Sequence, residues 1–149
     1  MIEGVSLTPL RIIPGEYGEV LHAMKCTDST FAGFGEAYFS TIKKGAVKAW
    51  KRHRKMILNL VVPCGEIKFV LYDDRQDSST CGKISEIILS RSNYQRLTVP
   101  SMIWMGFKGQ GNGLNMLLNV SNIPHDPDEV DRQDGFENNI CYDWEKDHI

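Results

Sequence analysis

No stretch of this chain approaches the roughly 20 consecutive apolar residues that a membrane-crossing helix needs. The opening residues, Met1-Ile2-Glu3-Gly4-Val5, lack a basic start followed by an apolar stretch, so no secretory leader is expected. Cysteine is scarce. Cys26, Cys64, Cys81 and Cys141 stand far apart, with no C-x-x-C spacing and no Cys/His cluster. That argues against a disulfide framework and for reduced thiols in a cytoplasmic protein. No run of about 12 residues or more carries a 3.6-residue hydrophobic period, so helix is expected to be minor. A surplus of basic charge is missing too: the net charge is −2, which argues against a dedicated nucleic-acid binder. No repeat and no linker divides the 149 residues, so one domain over 1–149 is expected.

What is present is strand after strand. Leu114, Met116, Leu118 and Val120 fall on one face of a period-two segment, with Asn115, Leu117 and Asn119 on the other. Ile67, Phe69 and Leu71 alternate in the same way. Apolar runs at Met56–Val62 and Ile67–Tyr72 flank Pro63-Cys64-Gly65-Glu66, which reads as a hairpin turn. Further short runs lie at Tyr38–Ile42, Ile84–Leu89, Gln95–Val99 and Ile103–Phe107. With 42% hydrophobic residues there is enough apolar surface for a core, and the pattern predicts an all-β sandwich or barrel. Residues 124–139 read as an acidic extended loop, and Ile140–Trp144 as a returning last strand.

Charge is unevenly spread. Lys43, Lys44, Lys48, Lys51, Arg52, Arg54 and Lys55 put seven basic residues into thirteen positions, while nine of the nineteen acids follow Ile123. Such a basic stretch is either a solvated edge or a rim facing an anion such as a phosphate or pyrophosphate.

Glycine and histidine spacing then narrows the barrel. Metal-binding cupins carry Gly, five residues, His-x-His, three or four residues, Glu, six residues, Gly. Here the frame runs from Gly45 through Lys51-Arg52-His53 and Leu58 to Gly65, and a second motif, Pro-x-Gly-x-x-His, reads Pro100-Ser101-Met102-Ile103-Trp104-Met105. Lys51, Leu58 and Met105 stand where ligands would be, and His53 alone does not hold a divalent ion. No metal and no cofactor are expected.

Between Gly45 and Phe107 the chain resembles the dTDP-4-dehydrorhamnose 3,5-epimerase family, metal-free cupins acting on nucleotide sugars. The likeness rests on Gly65-Glu66-Ile67, Asp73-Asp74-Arg75, Ser78-Ser79-Thr80-Cys81-Gly82-Lys83, the stretch from Leu89 to Pro100, and Gly106-Phe107. Family members read close to GEV, DLR, SPTFGKW, LSxxNxRQLxxP and HGF at these places. Gly15-Glu16-Tyr17-Gly18-Glu19 is similar to the family's D-x-R-G-x-F opening.

The resemblance implies a cupin-type double-stranded β-helix (jelly-roll barrel), a homodimer, a nucleotide-sugar substrate in the barrel mouth with a dTDP-sugar as the leading candidate, and proton abstraction next to a ketone. It also shows departures. The family's base, in R-G-L-H-x-Q, falls on Lys51, its arginine on Lys48, and its lysine on Leu58. Its acidic tyrosine falls near Ile123, where none stands, and Tyr142 is a candidate replacement. His53 is the candidate base because histidine ordinarily titrates near neutral pH. Lys51, two residues away on a strand, shares its face and is a candidate to polarise a carbonyl or to act as a base. Asp73 is a candidate to orient His53. Lys48 is the candidate phosphate contact, and Trp104, Asn115 and Asn119 are candidate sugar contacts. Three functions stay open: an epimerase or isomerase of a nucleotide-linked 4-keto-deoxy sugar in bacterial polysaccharide or nucleotide-sugar biosynthesis, a silent cupin binding a nucleotide sugar or glycan, and a cupin without ligand.

Overall fold

The computed structural model describes residues 1–146; His148, which carries no motif, lies outside them. Alternating apolar residues become strands β1 (Ser6–Pro9), β2 (Ile12–Gly15), β3 (Gly18–Leu21), β4 (Glu36–Ile42), β5 (Val47–His53), β6 (Leu58–Cys64) and β7 (Glu66–Tyr72). They continue as β8 (Ile84–Ser90), β9 (Gln95–Val99), β10 (Trp104–Gly109), β11 (Asn115–Ser121) and β12 (Val130–Arg132). A 3-10 turn at Pro127–Glu129 is the only helical element among the described residues. Two five-stranded antiparallel sheets result, ordered β1-β9-β6-β11-β4 and β12-β5-β10-β7-β8. They face each other as an all-β, cupin-type jelly roll. The hairpin β2–β3 belongs to neither sheet.

The inner faces close on one core. Leu58, Leu60 and Val62 of β6, Ile67, Phe69 and Leu71 of β7, Leu97 and Val99 of β9 and Leu117 of β11 are buried together. Each such side chain contributes about 1.5–3 kcal/mol of burial. A second cluster lies on the outer face of the β12–β8 sheet. There Trp50, Val70 and Trp104 are covered by Ile140 and Trp144. Gly106 lets that cover sit close, since a Cβ there would stand 2.8 Å from the Trp144 ring and 2.5 Å from the Ala49 Cβ.

Two expectations are corrected. Gly65 is not the turn of a hairpin: β6 and β7 belong to different sheets, so the chain turns a corner between them. Gly65 has φ of 79°, and a Cβ there would lie 2.3 Å from the Leu114 carbonyl oxygen, so only glycine fits. Residues 140–144 form no strand. Their aromatic side chains are used as a lid over the second cluster, with Trp144 tilted against Trp50 at 5.3 Å and Lys108 Nζ donating to the Trp144 carbonyl at 2.7 Å.

Candidate active site

The inward-facing residues of β4, β5, β6, β10, β11 and β12 leave a cavity of about 320 Å³ between the sheets. Strand β5 supplies Lys48, Lys51 and His53 to it. Lys48 and Lys51 differ by three positions, so a regular strand would send them to opposite faces. A bulge resolves this. Against β10, Met105 pairs with Lys51 and Phe107 with Lys48, so β5 advances three residues while β10 advances two. Arg52, between Lys51 and His53, faces outward, where it stacks 4.8 Å over the Trp104 ring and binds Asp74 and Asp131.

The acidic segment after Ile123 is where the sequence reading fell short. Asp126 caps the 3-10 turn by accepting from the Asp128 amide, and Pro127 opens it. The turn delivers Glu129, 3% exposed, to a hydrogen bond with His53 Nδ1. Its other oxygen accepts from the amides of Lys55 at 2.9 Å and Met56 at 3.2 Å. Burial pushes the Glu129 carboxyl up, but the bonds from His53, Lys55 and Met56 outweigh it and hold it below its ordinary range. A carboxylate on Nδ1 leaves Nε2 as the ring's basic position. No family motif pointed to Glu129; the only legible signal was an acid-rich segment matching a base-rich one.

Register also concentrates charge. Strand β12 sets Arg132 directly across from Lys51. With Lys48 this puts three cations around the cavity, and Glu36 is the only carboxylate among its described lining residues. Burial first, then Arg132 and Lys48, lowers the Lys51 pKa from its ordinary value. Like charges directly opposite on neighbouring strands cost stability. A cleft lined by one sign of charge attracts a ligand of the opposite sign.

Asn119, on β11, lines the same cavity and is 1% exposed. Its Nδ2 donates to the Tyr38 hydroxyl at 3.0 Å, while its buried Oδ1 has no partner among the described residues. Tyr38, on β4, belongs to the wall opposite β5 and was not singled out in the sequence.

Four candidates lie elsewhere. Asp73 is fully buried, accepting from Arg75, Ser78 and Thr80, and does not line the cavity; it orients a loop and not His53. Trp104 faces outward, its Nε1 donating to Asp74 at 2.8 Å. Asn115 spends its amide on the corner at Gly65, accepting from the Glu66 amide and donating to the carbonyls of Ile42 and Gly111. Tyr142 packs edge-on against Trp50 and Trp144 and donates to Glu86, away from the cavity. In each case a polar group is tied to a structural partner, which strand alternation alone does not reveal. Among the described residues no three His, Cys, Asp or Glu side chains converge as a metal site would require.

Comparison with known proteins agrees with this architecture. No protein-family model matches the chain. A solved dTDP sugar isomerase from Desulfovibrio desulfuricans superposes with a TM-score of 0.93 at 40% identity, covering 96% of this chain and 92% of its own. A probable low-salt glycan biosynthesis epimerase of Haloferax volcanii is 35% identical over 98 residues, 65% of this chain and 63% of that relative's length. A spore coat polysaccharide biosynthesis protein of Bacillus subtilis is 26% identical over 133 residues, 89% of this chain and 88% of the relative. Identity of this degree over nearly the whole of a solved isomerase means that the chain belongs to the family of that dTDP-sugar isomerase.

Proposed function

We propose that this protein epimerises or isomerises a nucleotide-linked 4-keto-deoxy sugar, with a dTDP-sugar as its substrate, in the synthesis of a surface polysaccharide or glycan. The observation that carries the proposal is His53, held through Nδ1 by buried Glu129 and facing a cavity rimmed by cations. His53 Nε2 takes the acidic proton beside the ketone, and Glu129 stabilises the imidazolium that forms. Charge then develops on the carbonyl oxygen. Lys51, about 7 Å along the strand from His53, is placed to meet that oxygen. Its lowered pKa makes it a better proton donor there than an ordinary lysine. The direct test is exchange of solvent deuterium into the sugar ring.

Lys48 and Arg132 are left to hold the diphosphate. Lys48 Nζ is already aimed by a bond to the Thr41 carbonyl at 3.0 Å. Calorimetry with dTDP should show Lys48→Ala weakening binding by about 1.5–3 kcal/mol, the range for charge-assisted hydrogen bonds. Equal affinity of variant and wild type would move the diphosphate elsewhere.

We also infer a homodimer. Among the described residues strand β4 is an edge of its sheet, Phe39 within it is 64% exposed, and Tyr17 at the tip of the β2–β3 hairpin is 95% exposed. Pairing of subunits hides such edges and apolar tips. Light scattering should give about twice the 16.9 kDa of one chain; a monomer at micromolar concentration would overturn this. Free, exposed Cys26, Cys81 and Cys141 fit action in the reducing cytoplasm.

A further inference from the structure

Inversion of a carbon beside a ketone needs a proton donor on the face away from the base. The chain has no tyrosine near Ile123, and Asn122 there spends its side chain on the Ile57 amide at 2.7 Å. Across the cavity from His53, however, β4 runs along β11 with Tyr38 paired to Asn119. Both side chains line the cavity, Tyr38 from one sheet and His53 from the other. The Asn119 amide donates to the Tyr38 oxygen, so it occupies a phenol lone pair and leaves the phenol proton free to point elsewhere. The neighbouring Asn119 Oδ1 is buried without a partner among the described residues, which in a native protein marks an acceptor waiting for a donor.

We infer that Tyr38 is the proton donor on the second face of the sugar, with Asn119 as its positioning residue and as the acceptor for a sugar hydroxyl. The assignment rests on the epimerase reading above. His53 Nε2 takes the proton from the carbon beside the ketone, and the C–H electron pair becomes the enolate, its charge on the carbonyl oxygen. The enolate carbon then takes the Tyr38 proton from the opposite face, restoring the ketone with that centre inverted. The phenolate regains a proton from solvent and the imidazolium loses one to it. Atoms and charge balance without any other reactant.

The test follows a dTDP-linked 4-keto-6-deoxyhexose in D₂O by NMR, reading deuterium entry and the inverted product separately. In Tyr38→Phe the enolate still forms and is returned by His53 on the face it left. Deuterium entry should stay within a few-fold of wild type while inverted product falls by about 10² or more. Asn119→Asp is the second variant, because its carboxylate accepts from the phenol and turns the proton toward residue 119 and away from the sugar. It should also lose inversion, by about 10-fold or more, with dTDP affinity kept. Unchanged inversion in Tyr38→Phe overturns the assignment. So does a wild-type product whose carbonyl has moved with no centre inverted, since that reaction needs one face only. Absence of both exchange and inversion in wild type, with dTDP bound, removes the proposed function itself and this assignment with it.

Discussion

Wild-type protein incubated in D₂O with a dTDP-linked 4-keto-6-deoxyhexose is expected to carry deuterium into the ring carbon beside the ketone, and His53→Asn to slow that entry by about 10²-fold or more. Asparagine keeps a polar group of similar reach but no basic nitrogen. Glu129→Gln should cost a comparable factor, because a buried amide supplies no charge to the imidazolium and does not favour the tautomer with Nε2 free. Lys51→Met removes the cation that meets the enolate oxygen and should slow exchange to a similar extent. The losses should not add, since the three side chains serve one step. If exchange is unchanged in all three variants, the site has been placed wrongly. If wild type binds dTDP but exchanges nothing, the protein is a silent binding module.

Asp73→Ala should do the opposite: it should weaken the fold and spare the chemistry. The Asp73 carboxylate is fully buried, receives Arg75 at 2.8 Å, and takes the hydroxyls of Ser78 and Thr80 at 2.6 Å each. Removing it takes the shared acceptor from Arg75, Ser78 and Thr80, while Arg75 keeps its bond to the Glu3 carbonyl at 2.8 Å. The loss should be about 1–3 kcal/mol, the range for buried polar groups left unsatisfied. The Arg75 hydrogen bond, opposed by burial and supported by Ser78 and Thr80, holds the Asp73 carboxyl well below its ordinary 3.8. A carboxyl depressed on folding contributes stability that is complete above its unfolded value and drains away as pH falls through the folded one. Urea unfolding should therefore show wild-type stability falling below about pH 4, with that component of the fall absent in Asp73→Ala. Turnover per folded molecule at neutral pH should match wild type. A fall of 10²-fold in folded Asp73→Ala would restore Asp73 to the catalytic set.

Most strands were legible because a half-buried strand writes its two faces into alternate residues. Leu114–Val120 reads directly from that pattern, and β11 stands there with alternating burial. Gln95–Val99 reads as a short run between turn residues, and β9 stands there. The corner at Gly65 was misread for a physical reason: a glycine between two apolar runs looks the same whether the strands pair or part. Ile140–Trp144 was misread because an aromatic lid carries the same residue types as a strand. His53 and Lys51 were legible as a pair on one face, since they stand two positions apart with only Arg52 between them. Asp73 and Trp104 looked catalytic or substrate-facing because residue type and motif position say nothing about which partner a buried polar group finds.

The sequence by itself determined an all-β barrel, the family through its spaced motifs, and a basic stretch carrying one histidine. These depend on local pattern, which survives without knowledge of contacts. Only the tertiary structure decided which groups meet in the cavity. The bulge in β5 turned Lys48 to the same face as Lys51, pairing of β12 with β5 brought Glu129 to His53 across 76 positions, and pairing of β4 with β11 brought Tyr38 to Asn119 across 81. Contacts at such separations follow from strand register, and register is fixed by burial of the whole sheet rather than by any short run of residues.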